Sequence, residues 1–158
     1  MLSTIPVHEG PRPVWLDRAL AAAVAGAALA CFAALWSVDP DPRGYDTHVQ
    51  LGMTPCGWPK AYGMPCPTCG ATTAAALVVH GRLFAAVATQ PFGAAVAASG
   101  LVLGALALYC LVRSRSFLDV WMQLPRHRLL LAGIALLFLA WGYKAMVFDA
   151  ASPSGQGG

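Results

Sequence analysis

The sequence predicts an all-α integral membrane protein, with three transmembrane helices and a short interfacial or re-entrant helical hairpin. Three observations carry this. Residues 19–38, 91–112 and 129–148 are long apolar runs, nearly free of charge. A shorter apolar stretch at 70–90 is broken in its middle by Gly81-Arg82. Only 11% of the 158 residues are charged while 58% are hydrophobic, against about 25% charged in an ordinary soluble domain.

The first run, 19–38, has no charged residue. At a rise of 1.5 Å per residue it reaches about 30 Å, the thickness of a bilayer hydrocarbon core. It follows Arg12 and Arg18 but exceeds the 7 to 15 apolar residues of a signal-peptide core, so it reads as a retained anchor. Trp15 and Trp36 suit its two interfaces, and the prolines of DPDPRG stop it. The second run is entered through Gln90-Pro91 and closed by Arg113 and Arg115. Along it Gly93, Ala97, Gly100 and Gly104 recur at helical spacing, offering a face of small residues to another helix. The third run contains one charge, Lys144, which is expected to snorkel to the near interface. The tail at 149–158 has a disordered composition.

Charge distribution sets the orientation. The loop at 113–128 holds Arg113, Arg115, Arg126 and Arg128, whereas the loop at 39–69 holds only Arg43 and Lys60. By the positive-inside rule the arginine-rich loop and the N-terminal segment 1–18 are cytoplasmic, and the 39–69 loop is not. A fourth crossing at 70–90 would reverse this and place Arg82 at mid-membrane. The stretch is therefore read as two short helices, about Cys69 to His80 and Arg82 to Gln90, hinged at Gly81. Lipid is the expected medium, with a membrane-protein partner or a second copy of the chain as further company. Dispersed basic residues give no nucleic-acid footprint.

Cys31 and Cys110 lie within apolar runs and are expected to pack as small hydrophobes. Cys56, Cys66 and Cys69 lie in a loop rich in Pro and Gly, and three readings stay open for them. With His48, or less easily His80, they make a Cys₃His set for zinc. As a redox centre, Cys66 and Cys69 would be the pair, with Cys69 in the first helical turn where its thiolate is stabilised, and Cys56 the exchange partner. As a staple, two of the three form a structural disulfide. Thr72 and Thr73 are expected to bond back to helix carbonyls. Asp39, Asp41 and Asp46 read as a solvated turn, and Trp58 and Tyr62 as interfacial aromatics.

The run Cys66-Pro67-Thr68-Cys69-Gly70 with Thr72, then His80-Gly81 and Gln90-Pro91, resembles a bacterial membrane family known as domain of unknown function 2752. Pro55-Cys56-Gly57 adds to the likeness, and Thr73 departs from it, since many members have Arg there. The resemblance covers about 50–148. It implies a multi-pass protein of the bacterial inner membrane and supplies no reaction. An accessory or interaction-type role is thus expected, with a thiol-redox or zinc-dependent protein as the alternative.

Overall fold

The computed structural model describes residues 13–151, and among these the secondary structure is entirely helical. Three helices are long and apolar enough to cross a membrane: α1 (Val14–Trp36), α5 (Pro91–Val112) and α7, which runs Arg126–Ala151 with its apolar part at Arg126–Val147. Only 6%, 17% and 11% of their apolar windows are buried within the protein. Helices apolar on all sides and exposed on most of them call for lipid around them. The chain is a multi-pass membrane protein.

α1 begins at Val14, five residues before the expected start at 19, because Val14, Trp15 and Leu16 extend the apolar pattern around Asp17. Residues 1–12, including Arg12, and 152–158 lie outside the described residues. The loop at 39–69 is not wholly irregular, since it contains a 3-10 turn at Thr47–Leu51 and the short helix α2 (Trp58–Tyr62). The arginine-rich loop contains α6 (Phe117–Gln123), capped by the Ser116 hydroxyl, which accepts from Asp119 N–H. α7 continues three residues into the expected tail.

α1 and α5 run antiparallel and approach closely where Ala28 meets Gly104, so any Cβ at Gly104 would collide with the Ala28 methyl group. Gly93 is pressed against Ala71 in the same way. Gly100 departs from the expected small-residue face, because a Cβ there would meet nothing within 4 Å. Cys31 is also exposed on α1 rather than packed, while Cys110 is buried.

Two clusters occupy opposite ends of α5. At one end Ala21, Ala107, Cys110 and Phe117 join the start of α1 to α6. There Asp17 accepts the backbone N–H of Leu118 at 2.8 Å and of Phe117 at 3.1 Å, and Arg18 reaches Ser114 Oγ at 3.1 Å. At the other end α3 (Ala71–Val79) and α4 (Leu83–Thr89) pack as a hairpin through Ala74, Leu77, Val78 and Ala86 against Ala94, Ala97 and Leu101 of α5. The nine residues of α3 span about 14 Å, too short to cross a bilayer. From the level of Gly93 the hairpin runs beside α5 to that of Leu101.

The turn closes as a Schellman motif. Arg82 N–H bonds Leu77 O at 2.8 Å and Gly81 N–H bonds Val78 O at 3.0 Å, with Gly81 at φ +74. These bonds satisfy the carbonyls that end α3.

Candidate functional site

A cavity of about 440 Å³ opens above the start of α3. Asp46, His48, Cys56, Cys66, Cys69, Thr72 and Thr73 are among the residues that line it. Cys66-Pro67-Thr68-Cys69 forms a tight turn, with Cys69 N–H on Cys66 O at 3.0 Å and Ala71 N–H on Thr68 O at 2.9 Å. Gly70 caps α3 at φ +85, and a Cβ there would strike the Gly44 carbonyl oxygen. The turn and the 39–46 segment thus meet backbone to backbone, which only glycine permits.

The Cys56 and Cys66 sulfurs are 3.7 Å apart, and all five cysteines of the chain are free thiols. Cys56 is brought there by the N–H it places on Asp46 Oδ1 at 3.3 Å. Cys69 points inward and is 4% exposed. Burial pushes its thiol up to about 11; the Cys66 sulfur adds to the rise and the Lys144 ammonium opposes it. Burial also raises the Cys56 thiol above its ordinary value.

These positions correct the expectation of a thiolate stabilised in the first helical turn. α3 starts at Ala71, two residues after Cys69, and the loss of water around Cys69 raises its thiol.

Of the histidines singled out, His48 reaches the cavity. Its Nε2 lies 3.1 Å from Thr54 O and 4.0 Å from Asp46 Oδ1. His80 does not, because it ends α3 with Nδ1 at 2.8 Å from Ala76 O and its ring stacked on Trp36 at 5.1 Å. Among the described residues no three His, Cys, Asp or Glu side chains are gathered closely enough to hold a metal ion.

Several residues support the site through partners that the sequence did not reveal. Gln90 is fully buried; its Nε2 donates to Pro67 O at 3.1 Å and its Oε1 accepts Gly93 N–H at 2.8 Å. Its place immediately before Pro91 was the available signal, since a polar side chain there caps the next helix. Thr73 does not bond back along its helix. It meets Thr47 Oγ1 at 2.8 Å, which in turn accepts Asp41 N–H at 2.9 Å.

Lys144 does not snorkel outward. It is 7% exposed, and its Nζ donates to Gly44 O at 3.2 Å and Thr89 O at 3.3 Å. Trp141 Nε1 donates to Pro65 O at 3.0 Å, and the Tyr143 hydroxyl to Ala88 O at 2.8 Å. Asp41 is paired with Arg43 at 2.8 Å, whose hydrogen bond holds the carboxyl below its ordinary value. Asp46 lines the cavity, so the three aspartates do not act as one solvated turn.

Fold and site together define a helical membrane protein with a three-cysteine cavity over a short helical hairpin. Residues 56–111 match the model of the family described as a protein of unknown function, DUF2752. The match spans the cysteine turn, the hairpin and most of α5, and is narrower than the 50–148 of the resemblance. No curated protein and no solved structure matches the chain.

Proposed function

We propose that this is an accessory or interaction-type protein of the bacterial inner membrane. In this reading the N-terminus and the arginine-rich loop are cytoplasmic, and the cysteine cavity is on the opposite face. The joining of Asp17 to α6 and of Trp36 to His80 supports the two-ended arrangement, and the arginine excess supports its sense. On the outer face Cys56 and Cys66 act as a pair that closes to a disulfide by thiol–disulfide exchange. Each sulfur gives up its proton, the sulfurs join, and the partner's disulfide is reduced to two thiols.

The observation that carries this is the 3.7 Å contact between the two sulfurs, made across ten residues of loop. Closing that loop constrains the unfolded chain by roughly 3 kcal/mol. The test is non-reducing peptide mapping of the detergent-purified protein after alkylation. A Cys56–Cys66 link with Cys69 free is expected. A Cys66–Cys69 link, or three free thiols under oxidising conditions, overturns the pairing.

One observation favours a second reading. The 3.7 Å separation also fits the edge of a zinc tetrahedron, about 3.8 Å for Zn–S bonds near 2.3 Å. Cys69 and His48 would have to turn toward the Cys56 and Cys66 sulfurs to complete it. About one zinc per chain in the same preparation would select this reading.

A further inference from the structure

The cysteine pair stands on segment 56–111, but part of what holds it comes from the third span. Trp141 donates to the carbonyl of Pro65, the residue just before Cys66. One turn further along α7, the Lys144 ammonium sits between Gly44 and Gly70, where a Cβ on either would be 3.4 Å from Nζ. Lys144 also bonds Gly44 O, and Gly44 in turn presses on Gly70 beside Cys69. α7 therefore holds the cysteine turn directly at the Pro65 carbonyl and indirectly through the Gly44 segment that abuts Gly70.

We infer that Trp141 and Lys144 are positioning residues for the cysteine pair, and that docking of the third span is coupled to whether Cys56 and Cys66 are thiols or a disulfide. This rests on the pairing proposed above. A disulfide needs sulfurs about 2.05 Å apart, so the 3.7 Å contact must shorten on oxidation. Where backbone movement supplies that approach, the Cys66 end draws the Pro65 carbonyl away from Trp141. The grip then favours the dithiol, and by linkage the disulfide loosens the grip. Rotation of the two side chains alone would leave α7 indifferent.

The test equilibrates the full chain in detergent with mixtures of reduced and oxidised glutathione. One oxidised glutathione takes two electrons and two protons from the pair and yields two reduced molecules. The fraction of Cys56–Cys66 disulfide is read by alkylation and mass spectrometry. Trp141→Phe removes the donor and keeps an aromatic ring, and should shift the equilibrium toward the disulfide about two- to tenfold, the worth of one hydrogen bond. Tyr143→Phe removes a hydrogen bond from the same helix, but one directed at Ala88 in the hairpin, and should leave the equilibrium where it is. Should Trp141→Phe fail to accumulate, Lys144→Met applies the same test from the Gly44 side. An unchanged equilibrium, a shift toward the dithiol, or an equal shift in Tyr143→Phe overturns the coupling. A wild-type protein that forms no Cys56–Cys66 disulfide in any mixture removes the pairing itself.

Discussion

Gln90 and Pro67 are joined across the helical hairpin, with the Gln90 amide donating to the Pro67 carbonyl at 3.1 Å while its own oxygen caps α5 at Gly93. One fully buried side chain thus fixes the cysteine turn to the start of the second span.

Gln90→Leu should destabilise the protein by about 2 kcal/mol, because it leaves a half-buried carbonyl and a buried N–H without partners. Thermal melting in detergent checks this. Ser99→Ala, which removes an exposed hydroxyl bonded back to Ala95 O, serves as the neutral comparison.

Gly70→Ala combines an unfavourable φ of +85 with a clash against the Gly44 carbonyl, and should lower the yield of folded protein sharply. Gly100→Ala meets nothing within 4 Å and should leave stability unchanged or raise it by up to about 1 kcal/mol. Equal effects of the two substitutions would contradict the contact between the Gly44 segment and the cysteine turn. Detergent melting and membrane abundance supply the comparison.

Cys69 should alkylate slowly in the folded protein. Its thiol is moved from an ordinary 9.0 to about 11 by burial, so at pH 8 its thiolate fraction falls roughly a hundredfold relative to the unfolded chain. The stability this burial contributes is fully present below pH 9. It is lost as pH rises from 9 toward 11, because the unfolded state ionises first. Maleimide labelling of folded and denatured protein, followed by a melting series across that range, checks both statements.

Sidedness is checked with single introduced cysteines at Met53 and Arg115, both exposed. A membrane-impermeant thiol reagent applied to intact cells should label the first and spare the second. Reversed labelling inverts the proposed orientation, and labelling of both removes the separation of the two loops.

The spans were legible because a long run without charge has few fates, and the hairpin because Gly81 is followed by Arg82 where a continuous crossing would be costly. His48 and the three loop cysteines line one cavity, but among the described residues no three such side chains stand close enough to share a metal ion, and spacing along the chain could not decide that. Lys144, Trp141, Gln90 and Thr73 were not legible, because each bonds a group distant in the chain, and local periodicity carries no trace of a partner tens of residues away. α6 escaped for another reason: seven residues after a run of arginines are too few to show a helical period.

The grip of α7 on the cysteine turn also has a date in the life of the chain. At about 5–20 residues per second, synthesis from Val112 to Lys144 takes a few seconds, so the first two spans and the hairpin exist before Trp141 or Lys144 has been made. During that interval the cysteine turn lacks the hydrogen bond from Trp141, and the Gly44 segment the one from Lys144. Arrival of the last span ends it. A pulse-labelled chain sampled before and after that arrival should show Cys66 becoming slower to alkylate, which would make the third span the step that completes the cysteine face rather than a second anchor.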